Sequence, residues 1–482
     1  VSATELDFDS CYRAVAARDA RFDGRFYTAV TTTRIYCRPV CPARTPTSRN
    51  VRFYRHAASA EAAGFRPCKR CRPELSPGDP GWDHRGDLVG RALRLIDEGV
   101  ADDGGITRLA GRLHITERHL HRLFAGELGV GPLAVVRTKR LLLAKQLLTE
   151  TGLPISDVAF AAGFGSVRQF NATMKETYGF TPGELRATAG RAASGNALTL
   201  RLHRREPYDA GTLMRFLAAR AIPGLEQADE TSYRRAVPQG TITLTPLPGH
   251  VRLDVTLDDT RHLARVVARA RRLLDLDADP EAISGALGET ALAPLVAARP
   301  GLRVPGAWDG FEAAVRAVIG QQISVAGART ILGRLTARVG RTAGLVTAGA
   351  SGADGGCAGG DGPHLLFPTA ADLAEADLAG LGLTGRRVTT LKALATKVAD
   401  GEIDLDGAQE PAEAVARLLE VPGIGPWTAG YIALRALRDP DAWPRGDLGL
   451  RRAMACLGIP DDHIERWRPW RAYAALHLWS SE

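Results

Sequence analysis

The chain has no apolar run approaching the ~20 residues that cross a bilayer. Its first residues are polar and acidic rather than basic and then apolar. Neither membrane insertion nor export is expected, and a cytoplasmic location is. There is no acidic excess either: 62 Lys and Arg stand against 54 Asp and Glu, a net charge of +8, which suits a polyanionic partner. Cysteine is scarce, seven in 482 residues, and in a cytosolic chain clustered cysteines mean metal or redox chemistry more often than disulfides.

What is present is unevenly placed. Four of the seven cysteines fall between Cys37 and Cys71, and residues 1–75 hold 14 Arg or Lys against 7 Asp or Glu. The length exceeds one core and predicts several domains. Residues 1–78 form an Arg-rich, Cys-bearing unit ending in the turn-rich Ser76–Pro80. Residues 84–190 carry helical periodicity, and Gly190–Asn196 is a small-residue joint. From 197 to 302 the period becomes two: Leu198, Leu200 and Leu202 alternate, as do Val251, Leu253, Val255 and Leu257. That pattern predicts an antiparallel sheet with helices beside it, over Leu213–Ala221 and Leu263–Leu274. Residues 303–482 are helical again, apart from the Gly-, Ala- and Ser-rich stretch Gly344–Pro363, which reads as a loose loop with Cys357 incidental to it. The expected fold is thus multidomain and mainly α: a small α/β zinc unit, an all-α double helix-turn-helix unit, an α+β unit with an antiparallel sheet, and an all-α unit.

The spacing Cys37-x3-Cys41-x26-Cys68-x2-Cys71 fits one tetrahedral Zn²⁺ per chain, two ligands coming from each short turn. A purely structural zinc knot satisfies the same spacing. Cations nonetheless crowd it, in Cys37-Arg38-Pro39-Val40-Cys41-Pro42-Ala43-Arg44 and Arg66-Pro67-Cys68-Lys69-Arg70-Cys71-Arg72. Four electron-rich thiolates are candidate nucleophiles toward an alkyl group. Phe26 to Arg72, with Thr31-Thr32-Thr33-Arg34-Ile35-Tyr36-Cys37-Arg38-Pro39, closely resembles the N-terminal domain of the Ada adaptive-response proteins. The resemblance implies irreversible methyl transfer from a methylated DNA phosphate, with Cys37 as acceptor, Cys41, Cys68 and Cys71 as the other ligands, and Arg44 among the DNA contacts. Losing one negative charge from the cluster would raise affinity for DNA.

Leu109–Leu113, a turn, and Thr116–Leu128 read as a helix-turn-helix with Thr116 as N-cap. Leu120 and Phe124 fall on the inner face, and Arg118, His121 and Arg122 on the outer one. A second unit runs from Ile155 to Tyr178, with Phe170 and Met174 inside and Arg168, Gln169 and Asn171 outside. Outer residues of such helices reach base edges in the major groove. A helical bundle with a solvated basic face has the same pattern. Gly179-Phe180-Thr181-Pro182-Gly183-Glu184-Leu185-Arg186 resembles the AraC-type regulator domain, which favours the first reading.

Leu419-Glu420-Val421-Pro422-Gly423-Ile424-Gly425-Pro426-Trp427 is a hairpin whose glycines, Gly423 and Gly425, let backbone approach a phosphate closely. Twenty residues beyond Trp427 stands Asp447. This arrangement resembles the helix-hairpin-helix DNA glycosylase superfamily. The spacing, together with Arg466–Tyr473, Ala298–Gly306 and Ile319–Val325, resembles the AlkA-type 3-methyladenine glycosylases over about residues 198–482. The resemblance implies Asp447 as the catalytic carboxylate and Trp427, Tyr431 and Trp479 as pocket aromatics suited to a cationic base. It also implies a monovalent cation at the hairpin, and puts Gln322 where relatives insert an apolar wedge. Trp427 stands where backbone-cleaving relatives carry a Schiff-base Lys, so monofunctional hydrolysis is expected. Only Cys456 follows the hairpin, too few for an iron–sulfur cluster, and the Pro-Cys-His-Arg site of O-alkylguanine transferases is absent.

The expected function is base excision of alkylated bases joined to a methyl-sensing transcription regulator. The alternatives are a methylation-activated transcription factor whose glycosylase half is a DNA clamp, and an enzyme whose front half only localises it. Double-stranded DNA, as lesion and as promoter, is the expected partner, RNA polymerase a further one, and the chain is expected to be monomeric.

Overall fold

The computed structural model describes residues 6–78, 88–187, 197–238, 240–343 and 362–481. The joint Gly190–Asn196, Asp79 and Pro80 of the linker, and the expected loose loop with Cys357 (all but its last two residues) lie outside the described residues.

In the first unit α1 (Phe8–Ala17) precedes a four-stranded sheet of β1 (Tyr27–Val30), β2 (Ile35–Cys37), β3 (Val51–Tyr54) and β4 (Arg66–Pro67), with α2 (Ala57–Ala62) between the last two strands. The strand order is β3-β1-β2-β4, and only β2 and β4 run parallel. That parallel pair sets Ile35 beside Arg66 and Tyr36 beside Pro67. The next residues on each strand are Cys37 and Cys68, so strand register alone brings the two cysteine pairs together.

The second unit is α3 (Leu88–Asp97), α4 (Val100–Arg112), α5 (Glu117–Leu128), α6 (Pro132–Glu150), α7 (Ile155–Ala161), α8 (Val167–Tyr178) and α9 (Pro182–Ala187). Helices α5 and α8 are built alike. Thr116 and Ser166 cap them by accepting from the amides of His119 and Gln169. Leu120, Phe124 and Leu128 bury one face of α5, and Phe170, Met174 and Tyr178 the matching face of α8. Both helices end on a left-handed glycine, Gly129 and Gly179. The two units are a duplication in step, clearer in three dimensions than as a sequence repeat.

The third unit is a five-stranded antiparallel sheet of β5 (Ala197–His203), β6 (Glu226–Ala228), β7 (Tyr233–Val237), β8 (Gly240–Leu247) and β9 (His250–Leu257), in the order β5-β9-β8-β7-β6. Leu198, Leu200, Leu202, Val251, Leu253 and Val255 are buried and Leu257 is half-buried, while Thr199, Arg201 and Arg252 face outward. Helices α10 (Ala210–Arg220) and α11 (Leu263–Leu273) lie at the expected places. The buried faces of α6–α9 and of this sheet share one apolar core, so the regulator is packed onto the sheet rather than strung from it.

Helices α12 (Pro280–Gly288) and α13 (Ala293–Ala298) precede α14 (Gly310–Ile319) and α15 (Val325–Val339). They bury their apolar residues in one core with the C-terminal helices α20 (Leu448–Cys456) and α21 (Arg471–Trp479), not against the sheet. Between lie α16 (Ala370–Glu375), α17 (Gly385–Ala399), α18 (Pro411–Leu419) and α19 (Pro426–Ile432). The last unit is not wholly helical. Strands β10 (Arg341–Thr342) and β11 (Leu365–Leu366) pair, and the carbonyl of Gly224 accepts from the amides of His364 and Leu365, anchoring the second strand to the sheet unit.

Candidate functional site

The four Sγ atoms of Cys37, Cys41, Cys68 and Cys71 lie within 4.8 Å of one another. Two backbone amides point at the cluster, Arg38 N to Cys71 Sγ and Arg70 N to Cys68 Sγ, each at 3.3 Å. Four thiolates this close repel unless a divalent cation lies among them, and N–H donors on two of them complete a tetrathiolate zinc site. Cys68 and Cys71 are buried, while Cys37 and Cys41 are half-exposed. Cys37 and Cys41 are thus the two ligands that solvent reaches more readily.

The crowd of cations around the cluster is thinner than the sequence suggests. Arg38 turns to the carboxylate of Asp23, and Arg72 to Glu74 and to Glu150 on α6. These arginines join parts of the protein to one another. Arg44, Lys69 and Arg70 stay exposed, and Lys69 also lies 4.3 Å from the ring centre of Phe180. The regulator holds the cluster from behind: buried Lys145 on α6 donates to the carbonyl of Cys68 (3.1 Å) and to Glu74 (2.6 Å). On α5 and α8, Arg118, His121, Arg122, Arg168, Gln169 and Asn171 are all exposed, on the faces opposite the buried ones.

The second site is a cavity of about 510 Å³ between the sheet unit and the C-terminal helices. Asp447, Trp427, Tyr431 and Trp479, separated by up to fifty-two positions in the sequence, all line it. The indole N–H of Trp427 donates to Asp447 Oδ2 at 2.6 Å and that of Trp479 to Oδ1 at 3.0 Å. Asp447 is also the N-cap of α20, accepting from Leu450 N at 2.8 Å. Three N–H donors thus fix the position of the carboxylate. Trp427 and Tyr431, one turn apart on α19, stack at 5.5 Å and 14°, and Trp479 meets Tyr431 edge-on at 6.3 Å.

The cavity holds residues that no motif marked. Phe216 and Arg220 of α10 reach it from the sheet unit, and Arg435 comes from the turn after α19. The two guanidiniums lie 3.8 and 4.6 Å from the centre of the Phe216 ring, and Arg435 also donates to the Tyr431 hydroxyl at 3.0 Å. Burial pushes the Tyr431 phenol up, but Arg435 and Arg220 outweigh it and leave it below the usual phenol range. Helical spacing from Tyr431 could have found Arg435; nothing local marks Phe216 or Arg220. Buried Arg235 on β7 and Arg316 on α14 share Glu226 and Glu312, fastening α10's unit to the helices across the cavity.

The hairpin between α18 and α19 is braced from the protein side. Gly423 has φ +91°, and a Cβ there would lie 2.2 Å from Thr390 Oγ1. At Gly425 a Cβ would meet nothing within 4 Å. The interior does not demand that glycine; it keeps the outer surface low. Gln321, beside the expected wedge, donates to the Gly423 carbonyl (3.1 Å) and to Thr428 Oγ1 (2.8 Å). Gln322 itself is exposed in the left-handed region, at φ 56°. The carbonyls of Val421, Pro422 and Gly423 each accept an internal hydrogen bond, leaving their second lone pairs to any monovalent cation at the hairpin. Among the described residues no helix is long and apolar enough to cross a membrane.

Comparison with known proteins agrees with this division. Family models match at residues 10–74 (metal binding domain of Ada), 109–188 (helix-turn-helix domain), 199–309 (AlkA N-terminal domain) and 315–467 (HhH-GPD superfamily base excision DNA repair protein). The chain is 46% identical to the "Probable bifunctional transcriptional activator/DNA repair enzyme AlkA" of Mycobacterium tuberculosis, over 98% of this chain and 96% of that one. It is 35% identical to "DNA-3-methyladenine glycosylase 2" of Escherichia coli, over 57% of this chain and 95% of the relative. To the "Bifunctional transcriptional activator/DNA repair enzyme Ada" of Escherichia coli it is 37% identical, over 38% of this chain and 50% of the relative. The chain thus belongs to the family of AlkA-type bifunctional transcriptional activator/DNA repair enzymes, in which an Ada metal-binding domain and a helix-turn-helix regulator are joined to a base-excision glycosylase.

Proposed function

We propose that the chain removes alkylated bases such as 3-methyladenine from double-stranded DNA by monofunctional hydrolysis, and that its zinc half accepts a methyl group and regulates transcription. What carries the reading is Asp447, a carboxylate held by three N–H donors at the wall of an aromatic cavity beside a phosphate-gripping hairpin. The lesion base swings out of the duplex into the cavity and packs against Trp427, Tyr431 and Trp479. The N-glycosidic bond breaks and its electron pair leaves with the base. Asp447 stabilises the positive charge that develops on the sugar. The oxygen of a water then bonds to C1′ and its proton passes to solvent. Among the described residues that line the cavity there is no lysine for a Schiff base, and Trp427 occupies that position. Gln322 fills the gap in the duplex, and Gly423 and Gly425 let the hairpin backbone meet the phosphates.

In the zinc half the sulfur of Cys37 attacks the methyl carbon of a methylated phosphate. A C–S bond forms, the C–O bond breaks, and the phosphate returns to a diester anion. Zinc, when bound, keeps the four sulfurs deprotonated at neutral pH. Arg44 faces the DNA there, and Arg118, His121, Arg122, Arg168, Gln169 and Asn171 read promoter DNA once the cluster has lost a negative charge.

The deciding measurement is release of 3-methyladenine from alkylated duplex by the wild type and by Asp447→Asn. Asn still caps α20 but carries no charge, so release should fall by about 10²–10³-fold. Equal release from both would remove Asp447 from the mechanism. For the sensor, Cys37→Ala should abolish stoichiometric methyl uptake, and methylated protein should bind DNA more tightly at every salt concentration.

A further inference from the structure

Between the zinc unit and the sheet unit lies a set of contacts that neither activity uses. Arg205, two residues past the end of β5, is 5% exposed. Its guanidinium donates to three main-chain carbonyls: Asp23 (2.6 Å), Gly78 (2.8 Å) and Asp277 (2.9 Å). The first two belong to the zinc unit and its exit segment. Asp277 in turn accepts from the amide of Gly78 at 2.7 Å and pairs with Arg271. Beside it Asp279, 2% exposed, pairs with Arg25 of the zinc unit while capping α12 through the amides of Glu281 and Ala282. The fit is tight at the entering loop. Gly24 has φ +83°, and a Cβ there would lie 2.2 Å from the Pro77 carbonyl and 2.8 Å from Arg205 Nη2.

The loop that enters this socket also touches the zinc site. Asp23 accepts from Arg38 Nε at 2.9 Å. Arg38 follows Cys37 in sequence, and it donates from its backbone to Cys71 Sγ and from its side chain to the Cys71 carbonyl. One residue, Asp23, therefore binds the zinc knuckle with its carboxylate and the glycosylase half with its carbonyl. A buried Arg placed on main-chain carbonyls is expensive to leave unmatched, and its environment here is complete only when the zinc unit is seated.

We propose that Arg205, Asp277 and Asp279 form a docking socket on the AlkA-type half for the loop Asp23–Arg25 and the segment Ser76–Gly78, so that sensor and glycosylase form one body and seating steadies the zinc site. Coupling of this kind is reciprocal: what zinc adds to seating, seating adds to zinc affinity.

The test uses the full chain with a protease recognition sequence in place of residues 190–196, cut after folding and zinc loading. The two pieces should stay together through size-exclusion at micromolar concentration, held by the shared regulator–sheet core as well as by the socket, so the variants decide. Arg205→Met should weaken their association by at least about tenfold, the scale of losing charge-assisted hydrogen bonds at a buried site. Arg25→Met, which alters only the partly exposed partner of Asp279, should weaken it less and guards against a failure of Arg205→Met to fold. Neither Arg lines the lesion cavity, so both variants should release 3-methyladenine as the wild type does. In the uncut chain a chelator should strip zinc several-fold faster from Arg205→Met. Separation of the wild-type pieces would overturn the socket. So would unchanged association in both variants, and unchanged zinc loss would overturn its link to the sensor.

Discussion

The zinc centre takes its four sulfurs from the stretch between Cys37 and Cys71, whereas the cavity around Asp447 takes its walls from elements spread between Thr212 and Ser480. The first is an anionic cluster that needs a cation to exist at all, and its neighbours reach it mainly through backbone amides and carbonyls. The second is a preformed space in which Asp447 lies among aromatic rings and several guanidiniums, and its shape comes from the packing of two units. A centre of the first kind stands or falls with its ligands. A centre of the second kind has its walls spread over many residues.

The largest effect should come from removing a ligand. Cys68→Ser leaves three thiolates and withdraws binding free energy that, for small zinc domains, is of the order of 10 kcal/mol. Zinc content should fall to background and the sheet pairing of Ile35 with Arg66 should be lost, as read by hydrogen exchange at the amides of Arg66 and Cys68. Release of 3-methyladenine should stay close to wild type, because none of the cavity's walls comes from the zinc unit. A parallel loss of base release would break the comparison and make the two centres one.

Next in size is the joint between sensor and regulator. Glu61 is buried and accepts from three hydroxyls: Tyr36 (2.9 Å), Thr138 (2.6 Å) and Tyr178 (3.2 Å). Burial pushes its carboxyl above the usual range, with the three donors pulling the other way. Glu61→Ala strands three buried hydroxyls and should cost about 3 kcal/mol, seen as zinc release on heating at a lower temperature. Glu61→Gln keeps an acceptor and should cost less. Equal melting of all three proteins would mean that the joint holds no stability.

The same contrast explains what could be read from the amino acids alone. Four cysteines at short spacings announce their ligand set, and the parallel register of β2 and β4 only executes it. The caps Thr116 and Ser166 and the buried residues behind them are local signals too, which is why the outer faces of α5 and α8 were legible. In the cavity only the part carried by motifs was visible: Trp427 and Tyr431 one turn apart, Asp447 at its spacing from the hairpin, and Trp479. Phe216 and Arg220 sit on an ordinary amphipathic helix, and only the packing of α10 across α14 and α15 turns them inward. Arg38 and Arg72 misled in the other direction. Sequence proximity suggested cations gathered around the thiolates, but carboxylates claim both: Asp23, 15 positions from Arg38, and for Arg72 both neighbouring Glu74 and Glu150 of the regulator.

The smallest effect concerns the charge of the cavity. Electron-rich rings alone would welcome a cationic base, but Arg220 and Arg435 already lie against Phe216, and their field is strong enough to hold the Tyr431 phenol down despite burial. Arg435 is committed to the carbonyls of Pro305 and Gly306 and to Tyr431, so its removal would disturb the wall itself. Arg220 is the cleaner probe, since its charge faces the cavity and Met can replace its stem against Phe216. Arg220→Met should raise release of a cationic base, 7-methylguanine, relative to a neutral one, hypoxanthine, by about 3–10-fold, the ~1 kcal/mol that like charges exchange across a partly solvated cleft. Both bases are measured in competition on the same duplex population, so a general loss of activity cancels. A ratio that stays fixed would mean that the base never feels the guanidinium, and the cavity would then discriminate by shape and stacking alone.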